Sequence, residues 1–228
     1  VYLQKDKDGL PRGFRTASKK IEVYGDCYIT LGRTGKPYAR DDDVPPVAKD
    51  YDPLPYYQAP TETPFNEFGR KYPLTITNGR IPFYHHGTLR NSPWMREKYP
   101  VPEVWVNPVD AKKYGVAQDD WIWVENARGK IRGVARVTEG IPVGVLYMER
   151  FWTPETLNKA DEGWKSVNYQ ILARADGPYN DLIGTHTLRG VQVKIYKAEG
   201  APEGVFTKPE QFKIWLPQPS DRTKDVEF

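Results

Sequence analysis

The sequence predicts a mainly β protein, a small barrel or sandwich with a few short helices, preceded by a long extended arm. From Lys71 onward, strand-like runs recur about every 8 to 12 residues with Gly, Asn or Pro between them, which is typical of small barrels and sandwiches. Residues 41–64 are dense in proline, which is incompatible with helices and with central strands. These two patterns divide the chain into an arm and a barrel-like region.

The arm, residues 1–70, contains one strand-like alternation at residues 20–24. Cys27 follows it, and we expect this thiol to lie in a strand core rather than to bind a metal. Because aromatic side chains punctuate the proline-dense part, we expect that part to lie on a surface belonging to domains outside this chain. These aromatic residues are Tyr51, Tyr56, Tyr57, Phe65 and Phe68.

The barrel-like region has one well-marked helix, expected over residues 108–114. Asn107 suits the N-cap, Pro108 suits the first helical position, and Gly115 suits a left-handed C-terminal cap. A helical turn is expected after Ser92 and another within residues 155–160. The predicted strands are residues 73–78, 103–107, 120–125, 130–138, 144–149 and 190–197.

Composition excludes several classes of protein and site. The 228 residues are 39% hydrophobic and 28% charged, as in a globular protein with a polar, hydrated surface. The net charge of +3 is too small and too evenly spread to argue for nucleic acid as a partner, and no segment is apolar enough to predict a membrane span. The single cysteine excludes an internal disulfide and a cysteine-ligated zinc or iron–sulfur site within this chain.

The residues that follow the first barrel strand have the composition of a ligand-facing loop. Guanidinium, here that of Arg80, is the preferred side chain for bidentate contact with phosphate, and Gly79 beside it lets backbone approach a ligand closely. His85, the Thr88 hydroxyl and the N–H groups around Gly87 can meet phosphate oxygens or the heteroatoms of a ring. The alternative is a hairpin-like turn followed by a surface arginine.

Adjacent histidines, His85 and His86, also raise the question of a metal site. Neighbours on an extended segment point to opposite sides, and no cysteine or third histidine lies nearby in the sequence to complete a ligand set. We therefore favour hydrogen bonding to a ligand over metal coordination, and we expect no metal ligand in this chain.

Short motifs follow one another in a fixed order: T-x-G-R at 77–80, H-x-G-T at 85–88, N-P-x-D-A-x-x-x-G at 107–115, R-G-K-I at 128–131 and I-P-V-G-V-L at 141–146. A strand rich in Trp and Val precedes R-G-K-I, and a strand ending in V-T precedes I-P-V-G-V-L. This order resembles the C-terminal dinucleotide-binding domain of the dimethyl sulfoxide reductase family of molybdenum and tungsten enzymes. Weaker matches at residues 17–22 and 166–169 flank the series, so the resemblance covers about residues 16 to 197.

The resemblance implies a six-stranded double-psi β-barrel at residues 71–200, with the arm before it and a charged tail at 201–228. It also implies that the barrel holds a bis(molybdopterin guanine dinucleotide) cofactor carrying molybdenum or tungsten. Family members are several times longer than this chain, and their metal ligand and iron–sulfur cluster lie upstream. We therefore expect a fragment of a molybdenum or tungsten pterin-dependent oxidoreductase that is inactive alone and contributes no catalytic residue.

Carried over position by position, the resemblance gives a set of candidate cofactor-binding residues. Asn168 matches the family's downstream asparagine, with a turn or cap role as the alternative, and Thr187 and Arg189 would complete a polar rim. The full set is Thr77, Asn78, Gly79, Arg80, Tyr84, His85, His86, Gly87, Thr88, Asn168, Thr187 and Arg189.

Three other positions have structural interpretations. Asp110 lies in a first helical turn, where a carboxylate is favoured by the helix dipole, so we expect a structural role. Asp119 stands where the family has the glycine of a tight turn, and aspartate tolerates the left-handed region moderately well. Trp152, at a strand end, is expected in core or interdomain packing.

The expected partners are the remaining domains of the same polypeptide, and a further candidate is an iron–sulfur electron-transfer subunit. Two alternatives stay open. The first is a β-barrel module for protein or carbohydrate contact without cofactor. The second is a hydrolase or decarboxylase on a related barrel, which would need a nucleophile that the sequence does not offer. Substrate, metal and cellular compartment, whether cytoplasmic or extracytoplasmic, are not determined by these residues.

Overall fold

A computed structural model describes residues 3–16, 18–34, 52–55, 57, 60–90, 92–150, 152, 165–175 and 190–202. The chain divides into two compact units, residues 1–59 and residues 60–228. The predicted helical turn within 155–160 lies outside the described residues, as do Thr187 and Arg189.

The first unit contains a helix, α1 (Asp26–Thr34), and two stretches of turn. Two sequence predictions were wrong here. Residues 20–24 form no strand, because local bonds close a turn before them: the Thr16 hydroxyl donates to the Lys20 carbonyl, and Glu22 accepts from the Ser18 N–H. Cys27 therefore lies in the first turn of α1, partly exposed, and not in a strand core.

The second unit is a closed six-stranded barrel. Its strands lie within one residue of the six predicted ranges, and Ser92 precedes a helix as predicted. The strands are β1 (Leu74–Gly79), β2 (Glu103–Val106), β3 (Trp121–Glu125), β4 (Lys130–Val137), β5 (Val145–Glu149) and β6 (Val191–Lys197). The helices are α2 (Glu67–Lys71), α3 (Pro93–Lys98), α4 (Pro108–Tyr114) and a 3₁₀ helix at Tyr169–Ile171.

Strand order around the barrel is β1-β5-β2-β4-β3-β6, closing back on β1. Two pairs are parallel, β1 with β5 and β2 with β4, while the other neighbours run antiparallel. This arrangement confirms the double-psi barrel that the resemblance implied. In the first parallel pair, Gly79 stands opposite Glu149, so β1 and β5 end side by side.

Side chains that point inward from the strands build the barrel core. Every second residue of β1 and of β3 is buried, and the inward side chains fill one apolar cluster. Gly133 lets β4 approach its neighbour: a Cβ there would lie 2.6 Å from Val104 Cγ2 and 2.9 Å from the Pro102 carbonyl oxygen. The fully buried members include Ile76, Val104, Ile122, Ile131, Leu146 and Met148.

Helix α4 has the caps that the sequence predicted. The Asn107 side chain accepts from the Val109 N–H at 2.9 Å, and Gly115 adopts a left-handed φ of 66°. Asp110 is buried and accepts from the Gly144 N–H at 2.7 Å, which confirms its structural role of tying α4 to the start of β5. Asp119 takes the left-handed turn position with a φ of 65°.

Residues 60–71 belong to the same compact unit as the barrel. Both Nη atoms of Arg128 bind the Glu62 carboxylate, and the Arg128 Nε donates to the Leu172 carbonyl at 2.9 Å. Phe65 is 94% exposed, and Tyr51 and Tyr56 lie outside the described residues. A domain boundary at residue 70 stays a prediction. No described helix is long and apolar enough to span a bilayer.

The close approach at Gly133 generates a stability prediction. Gly133→Ala should lower the free energy of unfolding by about 1–3 kcal/mol, because the added methyl group meets the Pro102 backbone and a packed valine. Gly87→Ala is the matched control, since nothing lies within 4 Å of its added Cβ, and it should change stability by about 0.5 kcal/mol or less. Urea unfolding of both variants measures the difference. Equal stabilities would contradict the packing argument.

Candidate cofactor-binding site

The loop that follows β1, residues 80–90, is held in a strained conformation. His86 and Leu89 both adopt left-handed backbone angles, with φ of 54° and 67°, which cost about 1–3 kcal/mol each for residues other than glycine. A small bridge between His85 and Thr88 closes the middle of the loop, where the Thr88 N–H and hydroxyl both donate to the His85 carbonyl. Such strain persists only where surrounding contacts impose it.

A buried ion pair imposes this conformation. Arg90 and Glu149 are each 3% exposed, and the Arg90 Nη2 lies 2.6 Å from Glu149 Oε1. The same Nη2 donates to the His86 carbonyl at 3.0 Å. Since Glu149 is the last residue of β5, the pair ties the end of the loop, and the strained His86 within it, to the barrel wall.

Beneath the loop lies an aromatic cluster. Trp152 is 1% exposed and packs on Tyr84 and Tyr99, with ring centroids 6.0 and 5.7 Å away, which confirms core packing for this tryptophan. The Arg90 guanidinium lies 4.7 Å from the Tyr84 ring centroid, and that of Arg96 lies 4.8 Å from the Trp152 centroid. Burial, and secondarily Glu103, raise the pKa of Tyr99 far above its usual range, so this phenol stays neutral.

Tyr84 supports the loop from this cluster. It is buried, and its hydroxyl donates to the Tyr99 carbonyl at 2.7 Å. The phenol is thus engaged with the protein interior, and a contact between Tyr84 and a cofactor stays a prediction.

Two arginines lie at the ends of β1 and β5. Arg80 is exposed directly after β1, and Arg150, which is half-buried, directly follows β5. The pKa of half-buried His86 is lowered by burial first, then by the charges of Arg80, His85 and Arg150. His86 is therefore a neutral imidazole at pH 7, and its ring centroid lies 4.9 Å from that of His85.

The end of β1 carries three further predicted site residues. Thr77 and Gly79 face outward and are half-buried, while Asn78 is buried on the inner side of the strand. A Cβ at Gly79 would lie 2.7 Å from Tyr147 Cε2, and the Tyr147 hydroxyl donates to the Arg80 carbonyl at 2.8 Å. A side chain at this position would have to displace the tyrosine ring of the same chain. A cofactor approaching the Gly79 backbone stays a prediction.

Asn168 lies on a segment that packs against the same loop. Its side chain accepts from the Gln170 N–H at 2.9 Å and caps the 3₁₀ helix, so the cap role that the sequence left open is present. Its neighbour Val167 packs with Ile81 and Tyr84. Gly87 and Thr88 are exposed on the loop. Convergence of Arg80, His85 and Asn168 on one cofactor stays a prediction.

Sequence reasoning missed Arg90, Glu149 and Arg150. The available signal was the pair of charged residues, Glu149 and Arg150, that ends an otherwise apolar strand. Their significance depends on the parallel pairing of β1 with β5, which brings residues 79 and 149 together and which the sequence pattern does not show. Among the described residues, no group of three His, Cys, Asp or Glu side chains could hold a metal ion.

Because one ion pair is buried and another is partly exposed, we expect the same substitution to destabilise the protein by different amounts at Glu149 and at Glu125. Glu149→Gln should lower the free energy of unfolding by about 3–5 kcal/mol, because it leaves the Arg90 guanidinium buried without a carboxylate. Glu125→Gln is the matched control: Glu125 also pairs with a cation, Lys194, at 3.0 Å, but both side chains are partly exposed, so the loss should be about 1 kcal/mol or less. Chemical denaturation at pH 7 compares them. A small loss for both would refute the anchoring role.

The charges around His86 predict its titration. Its midpoint, followed by NMR of the imidazole, should lie below the ordinary value of about 6.5, and Arg80→Gln should raise it by removing a neighbouring positive charge. Because the pKa is lower in the folded state, the contribution of this group to stability is fully present above about pH 6.5 and is lost as the pH falls through the folded pKa. A midpoint at or above about 6.5 would contradict this assignment.

Comparisons with known proteins agree with this architecture. Residues 74–198 match the family model described as the Molydopterin dinucleotide binding domain. Dopamine dehydroxylase of Eggerthella lenta is 40% identical over 174 residues, which is 75% of this chain and 16% of that protein. A sulfite dehydrogenase subunit of Allochromatium vinosum is 30% identical over 185 residues, 72% of this chain and 18% of that protein.

A solved structure shares the fold. Acetylene hydratase from Pelobacter acetylenicus superposes with a TM-score of 0.65 over 82% of this chain and 25% of that chain, at 24% sequence identity. This chain thus spans between a sixth and a quarter of the length of these three relatives. The family match covers more than half of the chain and contains all six strands and the loop after β1. The chain belongs to the family of molybdopterin dinucleotide-binding domains.

Proposed function

We propose that the loop after β1, with the adjoining end of β5, holds the anionic part of a molybdopterin guanine dinucleotide. The observation that carries the proposal is the register of β1 and β5, which places Arg80 and Arg150 directly after neighbouring strand ends, beside the loop that holds His85 and His86. Guanidinium groups bind phosphate oxygens bidentately, and a neutral imidazole both donates and accepts hydrogen bonds. The site thus offers charge for a phosphate and polar atoms for a ring.

The residues present fit such a group. At Gly87 nothing lies within 4 Å of a would-be Cβ, so the loop has open space where a ligand could approach its backbone. His85, Gly87 and Thr88 are exposed, while Arg90 and Glu149 hold the loop from within. When bound, the cofactor supplies the metal centre and its electron-transfer chemistry, whereas this chain binds and orients the dinucleotide.

The activity of the whole protein is a separate proposal, because this chain covers less than a quarter of each of these curated relatives. Their names describe a dehydroxylase, a hydratase and one subunit of a sulfite dehydrogenase, so one kind of domain accompanies different reactions. We infer that the full-length protein is a molybdenum or tungsten oxidoreductase whose substrate is set outside this chain. Two relatives are named as subunits, which supports partner chains, and our candidate partner is an iron–sulfur electron-transfer subunit.

The proposed role of Arg80 can be tested in the full-length protein. Arg80→Gln should weaken binding of the dinucleotide, because a charge-assisted contact to phosphate contributes roughly 1.5–3 kcal/mol. The measurement is guanine nucleotide released per protein after acid hydrolysis, together with bound molybdenum or tungsten. Arg136→Gln is the control, since Arg136 is exposed on β4, which pairs with neither β1 nor β5. Full nucleotide content in the Arg80 variant would refute the role, and a wild-type protein without guanine nucleotide would refute the proposed function.

A further inference from the structure

We propose that Arg150 is a specificity-determining residue: with Arg80 it forms a two-guanidinium site that selects a diphosphate over a monophosphate. This inference rests on the proposed function, since it places the diphosphate of a dinucleotide at the ends of β1 and β5. It concerns a residue that the sequence motifs do not single out, and it explains why the barrel brings two arginines to one place.

The backbone places the two arginines side by side. Gly79 and Glu149 are register partners in the parallel pair of β1 and β5, and Arg80 and Arg150 are the residues directly after these two strand ends. Neighbouring strands lie about 4.8 Å apart, so the backbones of the two arginines leave the sheet next to each other. Arg80 is exposed and Arg150 is half-buried. The Tyr147 hydroxyl, bonded to the Arg80 carbonyl at 2.8 Å, fixes the two strand ends relative to each other.

Both guanidinium groups influence the same histidine, His86. Arg80, His85 and Arg150 all lower the pKa of His86, and no carboxylate is among the groups that shift it. Glu149, next to Arg150 in the sequence, is bonded to Arg90, whose Nη2 also binds the His86 carbonyl. Positive charges from the ends of β1 and β5 therefore both act on His86, while Glu149 is held in the buried ion pair with Arg90.

The number of guanidinium groups matches the chemistry of a diphosphate. A bidentate guanidinium satisfies two oxygens of one phosphoryl group, so two of them at neighbouring strand ends serve two linked phosphoryl groups. A monophosphate binds one guanidinium group and leaves the second without a ligand. His86, neutral in the free chain, gains a nearby negative charge when the site fills, which raises its pKa and makes its titration a reporter of binding.

The inference is tested on the 228-residue chain by NMR of the histidine rings during titration with sodium pyrophosphate and, in parallel, with orthophosphate. We expect pyrophosphate to bind the wild-type chain more tightly than orthophosphate and to raise the His86 pKa. Arg150→Gln should weaken pyrophosphate binding about tenfold or more while changing orthophosphate binding less, because one of two charge-assisted forks is lost. Arg136→Gln should bind both anions as the wild-type chain does.

Arg150→Lys keeps the positive charge but cannot form the bidentate hydrogen bonds of a guanidinium group. Its affinity for pyrophosphate should therefore lie between those of the wild-type chain and of Arg150→Gln. If Arg150→Gln fails to fold, as judged by chemical-shift dispersion, the lysine variant carries the test. Wild-type affinity in both Arg150 variants, or equal affinity of the wild-type chain for the two anions, overturns the inference. The nucleotide content of the full-length Arg80 variant decides the proposed function separately, so the two can fail independently.

Discussion

The parallel pairing of β1 with β5 is the constraint on which the rest of this domain depends. In a purely antiparallel barrel, the residue after one strand end faces the start of its neighbour. Here Gly79 and Glu149 stand in register, and two strand ends with the segments that follow them share one side of the barrel. The strained loop, the ion pair beneath it and the arginines beside it all follow from that one register.

The site is divided between a rigid support and an exposed surface. Support comes from Arg90, Glu149, Tyr84 and Trp152, all buried, which hold a loop with two residues in left-handed conformations. The surface carries Arg80, His85 and Thr88 without deep burial. Ordering a loop when a ligand binds costs conformational entropy, and a loop already fixed by the protein loses less of it. Backbone strain and desolvation of the ion pair lower the stability of the folded chain. In return, a loop fixed in this way loses less conformational entropy when a ligand binds.

Much of the barrel was visible in the sequence because its signals are local. Alternating burial, Gly and Pro between strands, the Asn107 cap and the left-handed Gly115 each depend on a few neighbouring residues. Arg90 and Glu149 lie 59 residues apart, and nothing in either local pattern reveals the bond between them. In the first unit, a strand was predicted at residues 20–24 from alternation alone, yet a strand needs a pairing partner, and local side-chain bonds gave a turn instead. For the candidate site, the motifs pointed to the loop, and only the strand register brought Arg150 to it.

Closure of the barrel by β6 has a consequence for how the protein is made. β6 pairs with both β1 and β3, and the Gln192 amide reaches the Thr75 hydroxyl at 2.8 Å across 117 residues of chain. Until β6 has left the ribosome, β1 and β3 each present an unpaired edge, which is open to pairing with other chains. A pairing between segments so distant in sequence also forms slowly. The barrel therefore acquires a closed wall only after its last strand has emerged, and shielding of those edges by a chaperone until then would protect the nascent chain from aggregation.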